Sequence, residues 1–437
     1  MLRSSIALLL ALAPVVASAA GPSVQEVLLR AKPAVALVVA EVTSEVTLRC
    51  AGGSETTVRP PSFRETGTAW FIGPSGWAIT NAHVVSAVHR PSEALKAQQA
   101  QKAARPGCRA TGVTLDPSLS VILSNGFRLP ATVVKYSPPV AGEMMSGRDL
   151  ALLRLEAADL PSLWLGDSST VRIGDPLHIL GFPGVVLSHE LLNASAKAEA
   201  SVTNGAVSGL KQDRAGQTVI QTDAPAAWGN SGGPAINHRG EVIGVVTLAG
   251  AGDVIAQGFN FVIPSQAVRD FLEGTAVPLA EPSRFNRAWH AGLSSFFAGE
   301  HRRAEASFAE ANRLMPELPD VSRLSQENLE RIKNPPPRPL PWAAIAAGVT
   351  TMSLAAYAGL LVLRLRRNRF RIKPSDVLKL LEDSADPPLI LDVRDAATYA
   401  RSPVRIPHSR HITPQALESG AGKLDVETDR TVVAYCT

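Results

Sequence analysis

Three short segments carry residue types that can share one reaction. Thr80-Asn81-Ala82-His83-Val84-Val85 sets an imidazole just past a strand-like run, behind Gly67-Thr68-Ala69-Trp70-Phe71-Ile72. Arg148-Asp149-Leu150-Ala151-Leu152 sets a carboxylate at the opening of a second strand. Thr222-Asp223-Ala224-Pro225-Ala226-Ala227-Trp228-Gly229-Asn230-Ser231-Gly232-Gly233-Pro234 sets a hydroxyl in a glycine-rich turn. Amide hydrolysis by a serine needs a nucleophile, a base for its proton, an acid that orients the base, and backbone donors for the oxyanion. A single histidine is more often a satisfied loop or core residue, and Gly-Asn-Ser-Gly-Gly alone is an ordinary turn. The order His, Asp, Ser within strand-rich sequence is specific where no single part is.

The elements that must position these groups are β-strands. Apolar runs at 35–42, 66–72, 77–80, 119–123, 131–135, 150–155, 219–221 and 242–247 are short and punctuated by Gly, Pro, Asn and Ser, as in Gly73-Pro74-Ser75-Gly76. Many short strands at such spacing predict an all-β sandwich or barrel over about 24–272. The polar stretch 92–104 interrupts them as an inserted helix or a loop.

Across 24–272 the chain resembles the trypsin-like serine proteases, most closely their HtrA/Deg branch. The resemblance is carried by the three segments above, by Ser124-Asn125-Gly126 with Ala131-Thr132-Val133-Val134, and by Ile173-Gly174-Asp175-Pro176 and Gly181-Phe182-Pro183. The runs 202–208 and 258–265 add to it. It implies a mainly β fold of two six-stranded antiparallel barrels, with the reacting groups in the cleft between them. In that reading Ser231 is the nucleophile and His83 the general base. Asp149 orients the imidazole, and the N–H groups of Gly229 and Ser231 form the oxyanion hole. Asn230 precedes the serine where digestive relatives carry an aspartate, so no activation by N-terminal cleavage is expected. Pro225 stands six positions before the serine, where enzymes selective for Lys or Arg hold a carboxylate. With Thr247, Leu248 and Ala249 as the pocket wall, an uncharged pocket predicts cleavage after small or medium aliphatic residues. The resemblance departs in a lengthened interval between His83 and Asp149, in Trp228 beside the oxyanion glycine, and in the lack of a PDZ-type domain after 275.

The ends of the sequence suggest export. Arg3, an apolar run at 6–16 and the small residues Ala17-Ser18-Ala19-Ala20 have the build of a signal peptide over 1–20. A Pro-rich linker, 334–341, leads into 342–363, which is uncharged and long enough to cross a bilayer. Arg364, Arg366, Arg367, Arg369, Arg371 and Lys373 follow, and positive charge collects on the cytoplasmic side. The expected topology is a single-pass protein with the protease domain exported, to the periplasm or cell exterior, and the C-terminus inside. The net charge of +4 comes largely from that basic run, so no nucleic-acid partner is expected. Of three cysteines, Cys50 and Cys108 fall in the exported part, where either a disulfide or two free thiols is compatible with the sequence. The set leaves no metal site and implies no cofactor.

Beyond 282 the pattern turns helical. Gly292, Ala304, Phe308, Ala311 and Pro316 sit at the spacing of a tetratricopeptide-like hairpin within 283–333. Such arrays need about three repeats, so a helical spacer packed on the protease or a partner is an equal reading. Over 374–437, Leu389-Ile390-Leu391-Asp392-Val393-Arg394-Asp395 and Thr431-Val432-Val433-Ala434-Tyr435-Cys436 resemble a rhodanese domain. Cys436 matches its sulfur-carrying cysteine, but the sequence ends at Thr437 before the cradle loop, so a truncated module without sulfurtransferase activity is expected. The resulting expectation is a membrane-anchored serine endopeptidase acting on protein or peptide substrates, in quality control or regulated proteolysis, with homo-oligomerisation left open. The rival is a catalytically silent peptide-binding sensor coupled through the membrane to the rhodanese-like tail.

Overall fold

The structure, a computed structural model, describes residues 21–139, 147–213, 216–247, 260–279, 281–335, 341–383, 386–421 and 423–436. The chain divides into two units, Met1–Pro336 and Pro337–Thr437. The signal-peptide segment, 1–20, lies outside the described residues.

The first unit is built on two antiparallel barrels. Strands β1 (Val35–Cys50), β2 (Glu55–Val58), β3 (Phe63–Gly73), β4 (Trp77–Thr80), β5 (Cys108–Ile122), β6 (Arg128–Pro139) and β7 (Gly147–Leu155) lie in the order β2-β1-β3-β4-β7-β6-β5. β5 pairs back onto β1 from Leu37↔Ile122 to Cys50↔Cys108, so six strands close and β2 extends β1 outward. The second barrel closes β8 (Pro176–Gly181), β9 (Ser201–Gln212), β10 (Thr218–Thr222), β11 (Pro234–Ile236), β12 (Val242–Thr247) and β13 (Asn260–Pro264) in the order β10-β13-β12-β11-β8-β9. Two six-stranded barrels are thus present.

Strand alternation explains how the barrels join. Val35, Leu37, Val39, Trp70, Ile79, Leu150 and Leu152 of the first barrel pack with Leu180, Ile236, Val242, Val245 and Ile263 of the second. The alternate residues Ala36, Val38, Ala69, Phe71, Ala151 and Leu153 belong to another buried cluster, which runs on into helices at the end of the unit. Leu177, Ile179, Val207, Ile220, Ile243 and Val262 form a separate cluster of the second barrel. Because residues 35–40 of β1, 67–73 of β3, 78–80 of β4 and 149–153 of β7 are covered on both faces, these stretches read as near-continuous apolar runs rather than alternating ones.

Helices α1 (Val24–Ala31), α2 (Ala82–His89) and α3 (Glu93–Lys102) accompany the first barrel, and α4 (Gly184–Leu187), α5 (Ala194–Ala198) and α6 (Ser265–Leu272) the second. The polar stretch after α2 is therefore a helix, pinned by the buried Gln99 side chain, which accepts a hydrogen bond from Ser44. The residues that follow, 108–118, are the first half of β5. Cys50 and Cys108 stand opposite one another at the far end of this ribbon, and a disulfide joins them.

Three helices, α7 (Arg284–Phe297), α8 (His301–Leu314) and α9 (Pro319–Lys333), close the first unit. Phe285, Trp289, Phe296, Phe308 and Ala311 are buried, with the rings of Trp289 and Phe308 5.4 Å apart. Gly292 is required at that crossing, since a Cβ there would lie 2.5 Å from the Phe308 ring. The layer is docked on the barrel by polar links as well. The Trp289 indole donates to Leu29 O (2.8 Å), the Asn286 amide to Ser162 O (2.7 Å), and Ser283 Oγ to Leu160 O (2.8 Å). These contacts pack the segment on the rest of the first unit.

In the second unit α10 (Trp342–Asn368) extends past the apolar run into Arg364, Arg366 and Arg367. It is long and apolar enough to cross a membrane. After it come α11 (Pro374–Asp383), β14 (Leu389–Asp392), α12 (Ala396–Arg401), β15 (Arg410–His411), α13 (Pro414–Glu418) and β16 (Val432–Tyr435). The three strands form a parallel sheet in the order β15-β14-β16. Cys436, exposed and unbonded to sulfur, follows β16.

Candidate active site

His83 sits in the first turn of α2, two residues after Asn81, which occupies the N-cap position. The Asn81 side chain does not cap that helix. Its amide instead donates to the backbone carbonyl of Asp149 (2.8 Å). Asp149 is not the first residue of its strand: β7 starts at Gly147, and the β6–β7 register shifts between Ser137↔Leu150 and Pro139↔Gly147. A bulge of this kind re-aims a side chain. Here it places Asp149 in a left-handed conformation (φ 33°), which an aspartate adopts only when its surroundings impose it.

Those surroundings are three donors on a buried carboxylate. The His83 backbone N–H donates to Oδ1 (3.0 Å), the His83 ring Nδ1 lies 2.8 Å from Oδ2, and Thr247 Oγ1 donates to the same Oδ2 (3.0 Å). A carboxylate only accepts, so the ring proton sits on Nδ1 and Nε2 is left with its lone pair outward. Burial alone would lower the His83 pKa. The Asp149 hydrogen bond, the Asp149 charge and the charge of Glu65 outweigh it, and the pKa is raised.

Ser231 lies in the turn between β10 and β11, and Thr68 of β3 organises that turn. Thr68 N donates to Ser231 O (2.9 Å), and Thr68 Oγ1 donates to Gly229 O (2.6 Å) while accepting from Phe182 N (3.0 Å). On the other side Gly232 N donates to Val246 O (2.9 Å). Packing is so close that a Cβ at Gly232 would meet Thr68 O at 2.2 Å and Asn81 N at 2.8 Å. The serine turn therefore abuts the segment that leads into His83. Asp149 and His83 are bonded to each other, but Ser231 Oγ is buried and makes no hydrogen bond among the described residues.

The backbone around the serine is arranged for an anion. Trp228 O accepts from Gly184 N (2.6 Å), and in a trans peptide this turns the Gly229 N–H to the opposite side. Gly229 has φ 96°, and a Cβ there would lie 2.2 Å from Phe182 O, so glycine is needed on both counts. Among the described residues neither Gly229 N nor Ser231 N has an acceptor. Two adjacent donors thus remain open beside the serine hydroxyl.

Of the residues expected to wall the specificity pocket, Thr247 and Pro225 are described. Thr247 is buried with its hydroxyl committed to Asp149, so it is part of the acid's cradle. Pro225 is exposed, and its carbonyl accepts from Thr203 Oγ1 (2.6 Å). Leu248 and Ala249 lie outside the described residues. Thr68, Asn81 and Gly184 were not singled out by sequence reasoning, although the first two sit inside the segments that drew attention to His83. Gly184 carries no such signal, since its part is played by a backbone N–H.

Residues 67–245 match the family described as "trypsin-like peptidase domain". Among curated proteins, the chain is 31% identical over 216 residues to "Serine protease HTRA2, mitochondrial" of Drosophila pseudoobscura pseudoobscura, covering 49% of this chain and 40% of that protein. It is 31% identical over 207 residues to "Serine protease HTRA4" of Homo sapiens, covering 47% and 34%. The chain thus spans well under half the length of these relatives. Among solved structures it is similar to "HtrA-type protease AlgW with decapeptide", at 24% identity and a TM-score of 0.38, over 57% of this chain and 66% of that one. Residues 67–245 are thus similar to a trypsin-like peptidase domain, and the relatives matched across that region are HtrA-type serine proteases.

Proposed function

We propose that the protein is a membrane-anchored serine endopeptidase that cleaves through an acyl-enzyme at Ser231. The observation that carries this is the buried Asp149–His83 pair set beside a serine turn with two open N–H groups. Ser231 Oγ attacks the peptide carbonyl as His83 Nε2 takes its proton. Asp149 keeps Nδ1 protonated and steadies the imidazolium that forms. Gly229 N–H and Ser231 N–H receive the oxyanion, and His83 returns its proton to the departing amine. Water then repeats the cycle on the acyl-enzyme.

An aliphatic preference before the cut is supported by the absence of a carboxylate at Pro225. The nearest acidic residue in that turn, Asp223, is occupied by the Ala206 N–H (2.7 Å). Anchoring is supported by α10, an apolar helix of 27 residues followed by a basic flank. An exported protease domain and an inward basic end fit quality control or regulated proteolysis outside the cytoplasm. The parallel strands β14–β16 support an α/β tail of rhodanese kind inside it.

One observation favours the silent-sensor reading, namely the open link from Ser231 Oγ. Labelling of the full chain with a fluorophosphonate decides between the two. A wild type that labels, a Ser231→Ala variant that does not, and wild-type cleavage of an aliphatic peptide support the protease. An unlabelled wild type that still binds peptides supports the sensor.

A further inference from the structure

We propose that Glu65 makes the enzyme select a lysine or arginine on the leaving-group side of the cleaved bond, one or two residues beyond it. The inference rests on the protease reading above and adds a substrate feature to it.

The placement follows from β3. A Cβ on Gly67 would lie 2.6 Å from the Val84 methyls and 3.1 Å from Ser231 O. That face of β3 is therefore the one turned to α2, which carries His83, and to the nucleophile turn. Side chains alternate along a strand, so Glu65 projects from the same face, about 7 Å further along. Electrostatics agree with this geometry. Burial pushes the Glu65 carboxyl up and the His83 charge pulls it back, while the Glu65 charge raises His83 in turn.

Glu65 is half-buried and has no hydrogen bond or ion pair among the described residues. Other carboxylates nearby on the same barrel are partnered. Glu41 accepts from Ser62 Oγ (2.8 Å), and Glu45 accepts from Arg59 Nε (2.8 Å). Arg64, adjacent in sequence, projects from the opposite face of β3 and is exposed. A carboxylate that has lost part of its hydration without gaining a partner is the feature a cationic side chain completes.

The direction of the chain decides which side of the cut Glu65 meets. Ser231 is held between β3, through Thr68 N to Ser231 O, and β12, through Gly232 N to Val246 O. In the protease reading the acyl part of the substrate lies toward the turn that precedes Ser231. The departing amine therefore leaves past β3, where Glu65 stands.

The test uses the full chain in detergent and internally quenched peptides with one aliphatic residue before the cut. Arg, Gln or Glu is varied at the first and second positions after it. The expected result is a kcat/KM ratio for Arg over Gln of about fivefold at one of these positions, the size of a partly screened ion pair. Glu65→Gln brings that ratio close to unity, and Glu65→Lys inverts it in favour of Glu. Each ratio is taken within one variant and does not depend on its folded fraction. Cleavage without an Arg preference at either position, or a preference that survives in Glu65→Gln, overturns the proposal and leaves the protease reading standing. A wild type that neither cleaves nor labels at Ser231 overturns both.

Discussion

Replacing Thr247 by valine isolates the hydrogen bond that the sequence alone does not reveal. The Asp149 carboxylate is 3% exposed and takes donors from His83 N, His83 Nδ1 and Thr247 Oγ1. Valine keeps the shape of threonine and removes only the hydroxyl, leaving a buried charge with two donors, both from the same histidine. A hydrogen bond to a charged group contributes about 1.5–3 kcal/mol to stability, and no water-sized opening is needed to accommodate the change. At about 2 °C per kcal/mol for a unit of this size, the melting temperature falls by roughly 3–6 °C. Thermal unfolding of the full chain, followed by tryptophan fluorescence, reads the first unit through Trp70, Trp77, Trp164, Trp228 and Trp289. Thr247→Ser keeps the hydroxyl and loses one methyl group, a change of about 1 kcal/mol, so it melts closer to wild type. Catalysis responds less than stability, because the Nδ1 bond to Asp149 Oδ2 still fixes the His83 ring. A Thr247→Val protein that melts within about 1 °C of wild type would mean that the hydroxyl contributes nothing to holding Asp149, and the account of the acid's cradle would be wrong.

Two further outcomes follow from the same site. His83 must be neutral at Nε2 to accept the serine proton, and its pKa is raised, so activity is lost as pH falls through a value above that of an ordinary histidine. Glu65→Gln removes one of the two carboxylates that raise it, Asp149 being the other. The acid limb of the kcat/KM profile then moves to lower pH, and an unmoved limb, or one displaced upward, counts against the coupling. At Gly229, alanine places a Cβ 2.2 Å from Phe182 O in a backbone region with φ 96°, so the peptide must turn and its donor leaves the oxyanion position. The kcat for a peptide substrate should drop about 10²–10³-fold, and a variant retaining activity within about tenfold of wild type would separate Gly229 from the hole.

How much of this could be read from the sequence differs from element to element. Strands covered on both faces, such as β4 and β12, announce themselves as apolar runs because both sides of each are buried. The first half of β5 does not, since Arg109, Thr111, Gly112 and Thr114 face solvent or lie in a ribbon with only Val46, Leu48 and Ala103 as its small core. Its pairing with the outer end of β1 is a long-range fact, fixed by the strand across from it rather than by its own residues. The His83–Asp149 pairing is legible because the histidine and the aspartate sit in separate motifs, each with its own local signal, as does the serine proposed to act with them. Thr247 was placed in the pocket wall because its neighbours in sequence suggest it. Its rotation toward Asp149 depends on where β12 meets the β6–β7 bulge, and no local pattern encodes that meeting.

The parts of the site differ in how far they are assembled, and the difference locates the remaining motion. His83 and Asp149 are already bonded, and the Gly184 to Trp228 hydrogen bond already aims the Gly229 N–H. Donors fixed in advance need no reorganisation when charge develops, which is where such groups contribute most to rate. Among the described residues Ser231 Oγ has no hydrogen-bond partner, and a buried hydroxyl in that condition costs about 1–3 kcal/mol. The backbone on either side of it is pinned, by Thr68 N to Ser231 O and by Gly232 N to Val246 O. Closing the last link by moving the turn would break those bonds and disturb the oxyanion peptide with them. Rotation of the Ser231 side chain breaks none, and bonding to His83 Nε2 would relieve the very cost that the open state carries. In the protease reading, the final step of assembly is therefore expected to be one side-chain torsion at Ser231, with the surrounding backbone bonds kept.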